Sequence, residues 1–136
     1  MAMTRPDRVR GAGHDDFWEG CARDLLCLPR CRHCGHLQWP VAEICEQCDA
    51  ADFAFEAVSG RGRIVSWATF VHDYYKGAFG LPYDTILVAL EEGPLFLSNP
   101  SGFGGSEIML DQAVVVTFVD AEDGGGQYRL PLFARA

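Results

Sequence analysis

The stretch Cys31-Arg-His-Cys34-Gly-His-Leu-Gln-Trp-Pro-Val-Ala-Glu-Ile-Cys45-Glu-Gln-Cys48 holds two C-x2-C pairs with ten residues between them. Each pair sets two thiolates on one tight turn. A short hairpin between the turns brings the four together, the soft tetrahedral ligand set that zinc prefers. Gly35 follows Cys34, where a residue free to take positive φ lets backbone amides aim at the sulfurs; Asp49 follows Cys48 as a workable second choice there. Trp39-Pro40 falls between the pairs, at the expected tip of a small ribbon. The spacing predicts a structural zinc ribbon with Cys31, Cys34, Cys45 and Cys48 as ligands and no open coordination position. Two disulfides or four buried free thiols are the alternatives. The gap of ten is short for such a site, so the hairpin must be compact.

Working outward, 136 residues leave room for one ordinary domain, or for a metal-held module beside a compact β domain. An apolar content of 49% is enough for a core, and no apolar run approaches membrane-spanning length, so no membrane insertion is expected. Residues 1–10 carry charge with no apolar stretch behind them, which does not read as a secretory signal. Together with cysteines in metal-type pairs, this places the chain in a reducing cytoplasm.

The formal charge is −8. Residues 1–63 hold eight Arg and ten Asp/Glu, and residues 64–136 hold three basic and nine acidic side chains, so the second part is near −6 by itself. Such a surface collects phosphate backbone poorly, because that task needs clustered Lys and Arg. Nucleic acid is therefore the weaker partner class, although ribbons and small barrels both bind strands elsewhere.

Residues 1–13 are polar and read as a flexible tail. Asp15 or Asp16 is placed to cap a helix beginning at Phe17, with Phe17, Cys21, Leu25 and Leu28 at helical spacing and Pro29 as its bound. The N-terminal helix is thus expected within 14–29, the ribbon in 30–52 and a β domain in 53–136. Cys21 and Cys27 lie outside the metal pattern and read as small buried residues. Phe17 and Trp18 belong to a stripe that either packs on the protein's own body or covers a partner surface.

After the second pair the period changes to two. Residues 52–58 read as a strand, Ser59-Gly60-Arg61-Gly62 as a bulge or bend, and residues 63–71 as a longer strand. Residues 73–83 form an aromatic loop with Tyr74, Tyr75, Phe79 and Tyr83. Residues 85–90, 95–98, 113–119 and 128–133 alternate similarly. About five strands without a long helix fit a small closed barrel, and a coiled first strand bent at glycine points to the five-stranded OB barrel; a small open sandwich is the alternative.

Catalytic signals are sparse. His72 and Asp73 form one adjacent pair with no nucleophile beside them, and Glu91-Glu92-Gly93 reads as a solvated turn. The Gly102–Gly105 stretch lacks the Lys-Ser/Thr of a P-loop. Arg61 and Arg63, with Arg30 and Arg32, are the noticeable basic clusters. If the ribbon folds back on the barrel, these four could converge on a phosphate-bearing ligand.

Taken in order, Phe17-Trp18-Glu19, Cys31-x2-Cys34-Gly35, Cys45-x2-Cys48, Ser59-Gly60-Arg61-Gly62-Arg63-Ile64-Val65-Ser66-Trp67, Pro82-Tyr83 and Leu90-Glu91-Glu92-Gly93-Pro94 resemble one family. Long catalogued as a domain of unknown function, it joins an N-terminal helix, a rubredoxin-like zinc ribbon and an acyl-CoA-associated OB-fold. The likeness runs from residue 15 to about residue 134. Where the family commonly has a glycine-containing turn before the fourth barrel strand, this chain has Leu110-Asp111-Gln112-Ala113. The resemblance implies a non-catalytic accessory subunit of thiolase-type enzymes. Family roles span acyl-CoA and ketone metabolism and aldol-type cleavage of steroid side chains. It further implies structural zinc, acyl-CoA as ligand near Arg61, Arg63, Tyr74, Tyr75, Phe79 and Tyr83, a thiolase-like partner met through Phe17 and Trp18, and no catalytic residue in the chain itself.

Overall fold

The computed structural model describes residues 2–72 and 80–136. In chain order the elements are β1 (Met3–Thr4), the helix α1 (His14–Ala22), β2 (Cys27–Cys31), β3 (Phe53–Ala57), β4 (Arg61–Phe70), β5 (Tyr83–Leu90), β6 (Leu95–Ser98), β7 (Ala113–Asp123) and β8 (Gly126–Arg135). The described residues are mainly β, with one α-helix, a short 3-10 turn at Gly105–Glu107 and a four-cysteine cluster. No helix among the described residues is long and apolar enough to cross a membrane.

The alternating segments from residue 61 onward form a ring. β4 pairs antiparallel with β5 and β7, β5 with β6, and β7 with β8. Beyond the end of β6, Pro100 makes a parallel bridge to Phe133 of β8. The Ser101 N–H donates to the Phe133 carbonyl at 2.8 Å, and the Phe133 N–H to the Asn99 carbonyl at 3.1 Å. The neighbour order β4-β5-β6-β8-β7 thus returns to β4, which does not conflict with the OB barrel expected from sequence. Along β5 the side chains of Ile86, Val88 and Leu90 are buried, and Leu87 and Ala89 between them are not, the pleat of a strand with one face on a core. Ile64, Phe96, Val114, Leu132 and Phe133 complete that interior.

The bend and the bulge are separate features. Gly60 has a φ of 77° and lies where an added Cβ would meet Cγ1 of Val116, so the chain turns there between β3 and β4. The register shift comes later, between Ile64 and Ser66, and keeps Ile64 inside while Val65 faces out. At the departure noted before β7, Asp111 itself adopts positive φ, 64°, so the turn is made without a glycine.

Three expectations are corrected. The helix does not run to residue 29: it ends at Ala22, where Asp24 takes a left-handed φ of 57° and the Leu25 N–H returns to the Gly20 carbonyl at 2.9 Å. Residues 27–31 are instead the strand β2, paired from Cys27 opposite Ala57 to Cys31 opposite Phe53. Apolar residues at 25, 26 and 28 suit either period, and the pairing with β3 decides it. By the same pairing β3 belongs with the ribbon, not the barrel, so the barrel starts at Arg61.

The third correction concerns residues 1–13. Met3 and Thr4 pair in parallel with Ala121 and Glu122, and the Arg5 N–H donates to the Glu122 carbonyl at 3.0 Å. Arg8 reaches Asp123 at 2.8 Å and lies over the Tyr128 ring at 4.0 Å. Far from a loose tail, this arm is docked on the β7–β8 hairpin.

Helix, ribbon and barrel share one aromatic seam. Phe17 of α1 lies 4.7 Å from Trp39 of the ribbon, Trp39 lies 5.0 Å from Phe96 of β6, and Phe96 lies 6.0 Å from Phe133 of β8. Each such ring pair adds about 0.5–1.5 kcal/mol beyond the area it buries.

Candidate metal centre

Cys31 is the last residue of β2, so a paired strand delivers the first sulfur. The chain then turns: the Gly35 N–H donates to the Cys31 carbonyl at 2.9 Å, and Gly35 takes a φ of 81°. The second pair repeats the turn, with the Asp49 N–H donating to the Cys45 carbonyl at 2.9 Å and Asp49 at a φ of 62°. Both left-handed positions fall where the sequence places them.

Amides aim at the sulfurs as such turns allow. The N–H groups of His33 and Cys34 approach Cys31 Sγ at 3.4 and 3.5 Å, and that of Gln47 approaches Cys45 Sγ at 3.4 Å. All four Sγ atoms lie within 4.8 Å of one another. Across the two turns Cys31 and Cys48 are 3.6 Å apart, as are Cys34 and Cys45. Sulfurs at the corners of a tetrahedron around one zinc stand roughly 3.8 Å apart, given Zn–S bonds near 2.3 Å, whereas a disulfide needs about 2.05 Å. The geometry therefore suits one metal ion, and none of the six cysteines is in a disulfide.

The amides of Cys34 and His33 hold the Cys31 thiol down to about 6. At Cys48 the Ala50 amide acts in the same sense, but burial and the neighbouring sulfurs outweigh it and push that thiol up to about 12. Four sulfurs this close resist sharing negative charge, and a bound dication removes that resistance. Cys31 and Cys45 are buried, Cys48 is half-buried and Cys34 is exposed. Were all four sulfurs to bind one tetrahedral ion, no coordination position would be left for a substrate.

One residue with a part in this frame gave little signal in the sequence. Gln38, only 3% exposed, accepts the Glu46 N–H at 3.0 Å and donates to the Ile44 carbonyl at 3.3 Å. A polar residue between Leu37 and Trp39 was the one available cue. On the outside, His36 and Glu46 join the two turns through a 2.7 Å contact.

The remaining expected site residues separate. Arg61 and Arg63 line one depression of about 400 Å³ on the outer barrel wall, with Ala89, Glu91 and Ala113 among its other residues. Arg61 pairs with Glu91 at 3.4 Å, and Arg63 donates to the Asp111 carbonyl at 2.8 Å. Arg30 instead grips Glu56 at 2.6 Å and Arg32 faces Asp52 at 3.6 Å, both on the ribbon. The four arginines do not converge, because each meets a local acceptor.

Tyr83 lies in β5, stacked on Phe70 at 4.9 Å. Asp73, Tyr74, Tyr75 and Phe79 lie outside the described residues. Phe17, expected to meet a partner, is 4% exposed and built into the aromatic seam, so it offers no contact face. Trp18 is half-buried, its indole N–H donating to the Val9 carbonyl at 3.0 Å. Cys21 and Cys27 are buried, and burial pushes the Cys21 thiol up to about 12, the chemistry of an inert packing residue.

No protein-family model matches the sequence. A protein of Thermomonospora curvata named "Probable enoyl-CoA hydratase alpha subunit" is 29% identical over 121 residues, 88% of this chain and 37% of its own length. A DUF35 domain-containing scaffold protein of Pyrococcus furiosus is 33% identical over 79 residues, 54% of each chain. The chain thus spans between a third and about half the length of these two relatives. Among solved structures, the Ltp2-ChsH2(DUF35) aldolase superposes with a TM-score of 0.82 at 25% identity, covering 95% of this chain and 98% of that one. A DUF35 protein of unknown function from Sulfolobus solfataricus shares the fold, with a TM-score of 0.58 at 14% identity over 78% of both chains. Superposing on a DUF35 chain over nearly its full length, and matching a DUF35 scaffold protein in sequence over about half of each chain, this protein is similar to the DUF35 family.

Proposed function

We propose that the chain is a zinc-containing accessory subunit that binds an acyl-CoA and pairs with a thiolase-like enzyme performing the carbon–carbon chemistry. The observation that carries this reading is the form of the cysteine centre. Four sulfurs within 4.8 Å of one another suit a closed, structural metal site, which organises a body and does not turn over a substrate. The relatives add support, since their names describe a scaffold, a hydratase subunit and an aldolase complex. Zinc is the metal we assign, from the all-thiolate donor set, and we read the β ring as an OB barrel.

For the ligand, the depression at Arg61 and Arg63 is the place we assign to the CoA phosphates. Arg makes charge-assisted, often bidentate contacts to phosphate, and a ligand oxygen has only the exposed Glu91 pair to displace at Arg61. From Arg63 the strand β4 runs on to Phe70, stacked on Tyr83, roughly 20 Å away along an extended chain. An acyl arm laid along β4 would reach the Tyr83 end of the barrel, where a partner's active site would take it up.

Calorimetry with an acyl-CoA tests this, with the chain alone and with the thiolase-like protein that co-purifies from the native host. Saturable binding that strengthens in the pair is the expected result. Absence of binding in both, or turnover of acyl-CoA by the isolated chain at an enzyme-like rate, would remove the accessory reading.

A further inference from the structure

We propose that Gln38 is the positioning residue of the metal centre, the side chain that holds the second cysteine turn in place for metal capture. This rests on the zinc reading above and asks which residue outside the ligand set makes that site. The two turns are supported unequally. Cys31 ends β2 and is registered opposite Phe53 of β3, whereas Cys45 and Cys48 lie in a segment, residues 40–52, that contains no strand. Something other than a sheet must place that second turn.

Gln38 is built for the task. Counted by the whole residue, it and Ser98 are the buried polar residues among those described. Its carboxamide oxygen accepts the N–H of Glu46, and its nitrogen donates to the carbonyl of Ile44, the two residues on either side of Cys45. Its own N–H donates to the Pro29 carbonyl at 3.1 Å, and its neighbour Leu37 bridges to Arg30, so the residue is anchored to the strand that carries Cys31. One side chain therefore spans from the first half of the site to the backbone flanking a ligand of the second. The next residue, Trp39, is held between Phe17 and Phe96, which anchors the chain beside Gln38.

A side chain that reaches ligand backbone and no sulfur should change metal affinity without changing metal stoichiometry. Outer partners of this kind are worth about 10–100-fold in metal affinity. The His36–Glu46 contact joins the same two turns, but Glu46 is largely exposed there, so its hold is weaker.

The test uses the full chain and the metal alone. Zinc affinity is measured by competition with a chromophoric chelator, and Co(II) binding by its thiolate-to-metal absorption. The variants are Gln38→Met, which keeps the shape and loses both hydrogen bonds, and Ser98→Ala. The latter removes a buried polar group far from the cysteines, whose hydroxyl donates to the Pro131 carbonyl at 2.9 Å in the barrel. Expected are one metal per chain throughout, a 10–100-fold weaker affinity for Gln38→Met and an unchanged affinity for Ser98→Ala. Wild-type affinity in Gln38→Met overturns the proposal. So does an equal loss in Ser98→Ala, which would mark a general effect of lost stability. Should Gln38→Met fail to fold, Gln38→Glu carries the test: it keeps the acceptor for Glu46, loses the donor to Ile44 and should fall measurably below wild type. Failure of the wild-type chain to bind one equivalent of metal is a distinct result, and it would sink the zinc reading itself.

Discussion

Arg8 and Asp123 stand 115 residues apart in sequence and meet at 2.8 Å, with 11% and 1% of their side chains exposed. Asp123 also accepts the Arg8 backbone N–H at 3.0 Å and the Gly125 N–H at 2.8 Å. A carboxylate sealed under an arginine in this way makes the N-terminal arm part of the barrel, and it gives the arm an acid dependence.

The Arg8 guanidinium, with its backbone N–H, holds the Asp123 carboxyl down at about 2, below the ordinary value near 3.9. Between those values the unfolded chain binds more protons than the folded one, so the stabilisation is complete above about pH 4 and is lost as pH falls toward 2. The Trp18 indole N–H, bonded to the Val9 carbonyl, reports on the arm by NMR. Its resonance should shift toward solvent values over that range, and Asp123→Asn should move it already at neutral pH. An indole signal indifferent to Asp123→Asn would mean that the pair does not hold the arm.

Metal content should follow the four clustered sulfurs. Ser in place of Cys31, Cys34, Cys45 or Cys48 should each abolish or sharply reduce zinc, since binding to such a site is folding free energy on the order of 10 kcal/mol. Cys21→Ala and Cys27→Ala should keep one zinc per chain. Elemental analysis of the purified variants decides this, and zinc retained in Cys45→Ser would contradict the ligand assignment.

Removing Arg61 or Arg63 should weaken acyl-CoA binding and leave zinc in place. A charged hydrogen bond to phosphate is worth about 1.5–3 kcal/mol, or roughly tenfold or more in affinity. Calorimetry on the reconstituted pair with Arg61→Ala, Arg63→Ala and both together measures it. Undiminished binding in the double variant places the phosphates elsewhere.

Gly60→Ala should cost about 1–3 kcal/mol, since alanine is strained at positive φ and its Cβ would press on Val116. The thermal midpoint should drop while metal content stays constant, because Gly60 lies at the barrel end of β3 and not in either cysteine turn. A midpoint equal to wild type would show that the bend between β3 and β4 adjusts freely.

Single-stranded DNA or RNA should bind weakly at physiological salt. Residues 64–136 carry a net charge near −6, and the arginines of the ribbon are held by Glu56 and Asp52, so the described residues form no basic groove to draw in a phosphate backbone. Fluorescence anisotropy with labelled oligonucleotides checks this, and sub-micromolar affinity would favour a nucleic-acid role over the acyl-CoA one.

What the sequence determined alone was local. The two C-x2-C turns, with Gly35 and Asp49 in left-handed positions, and the alternation along β5 follow from residues a few positions apart, where turn stereochemistry and the strand period leave one good solution. Contacts between distant segments decided the rest. Leu25, Leu26 and Leu28 satisfy a helix as well as a strand, and only β3, some 25 residues on, made Cys27–Cys31 a strand. Phe17 looked available to a partner until Trp39 and Phe96 closed over it. The arginines looked free to converge until Glu56, Asp52, Glu91 and the Asp111 carbonyl each met one of them. Whether a charge is free, or an apolar stripe uncovered, depends on what the remainder of the chain brings against it, and burial and pairing of that kind exist only once the fold has formed.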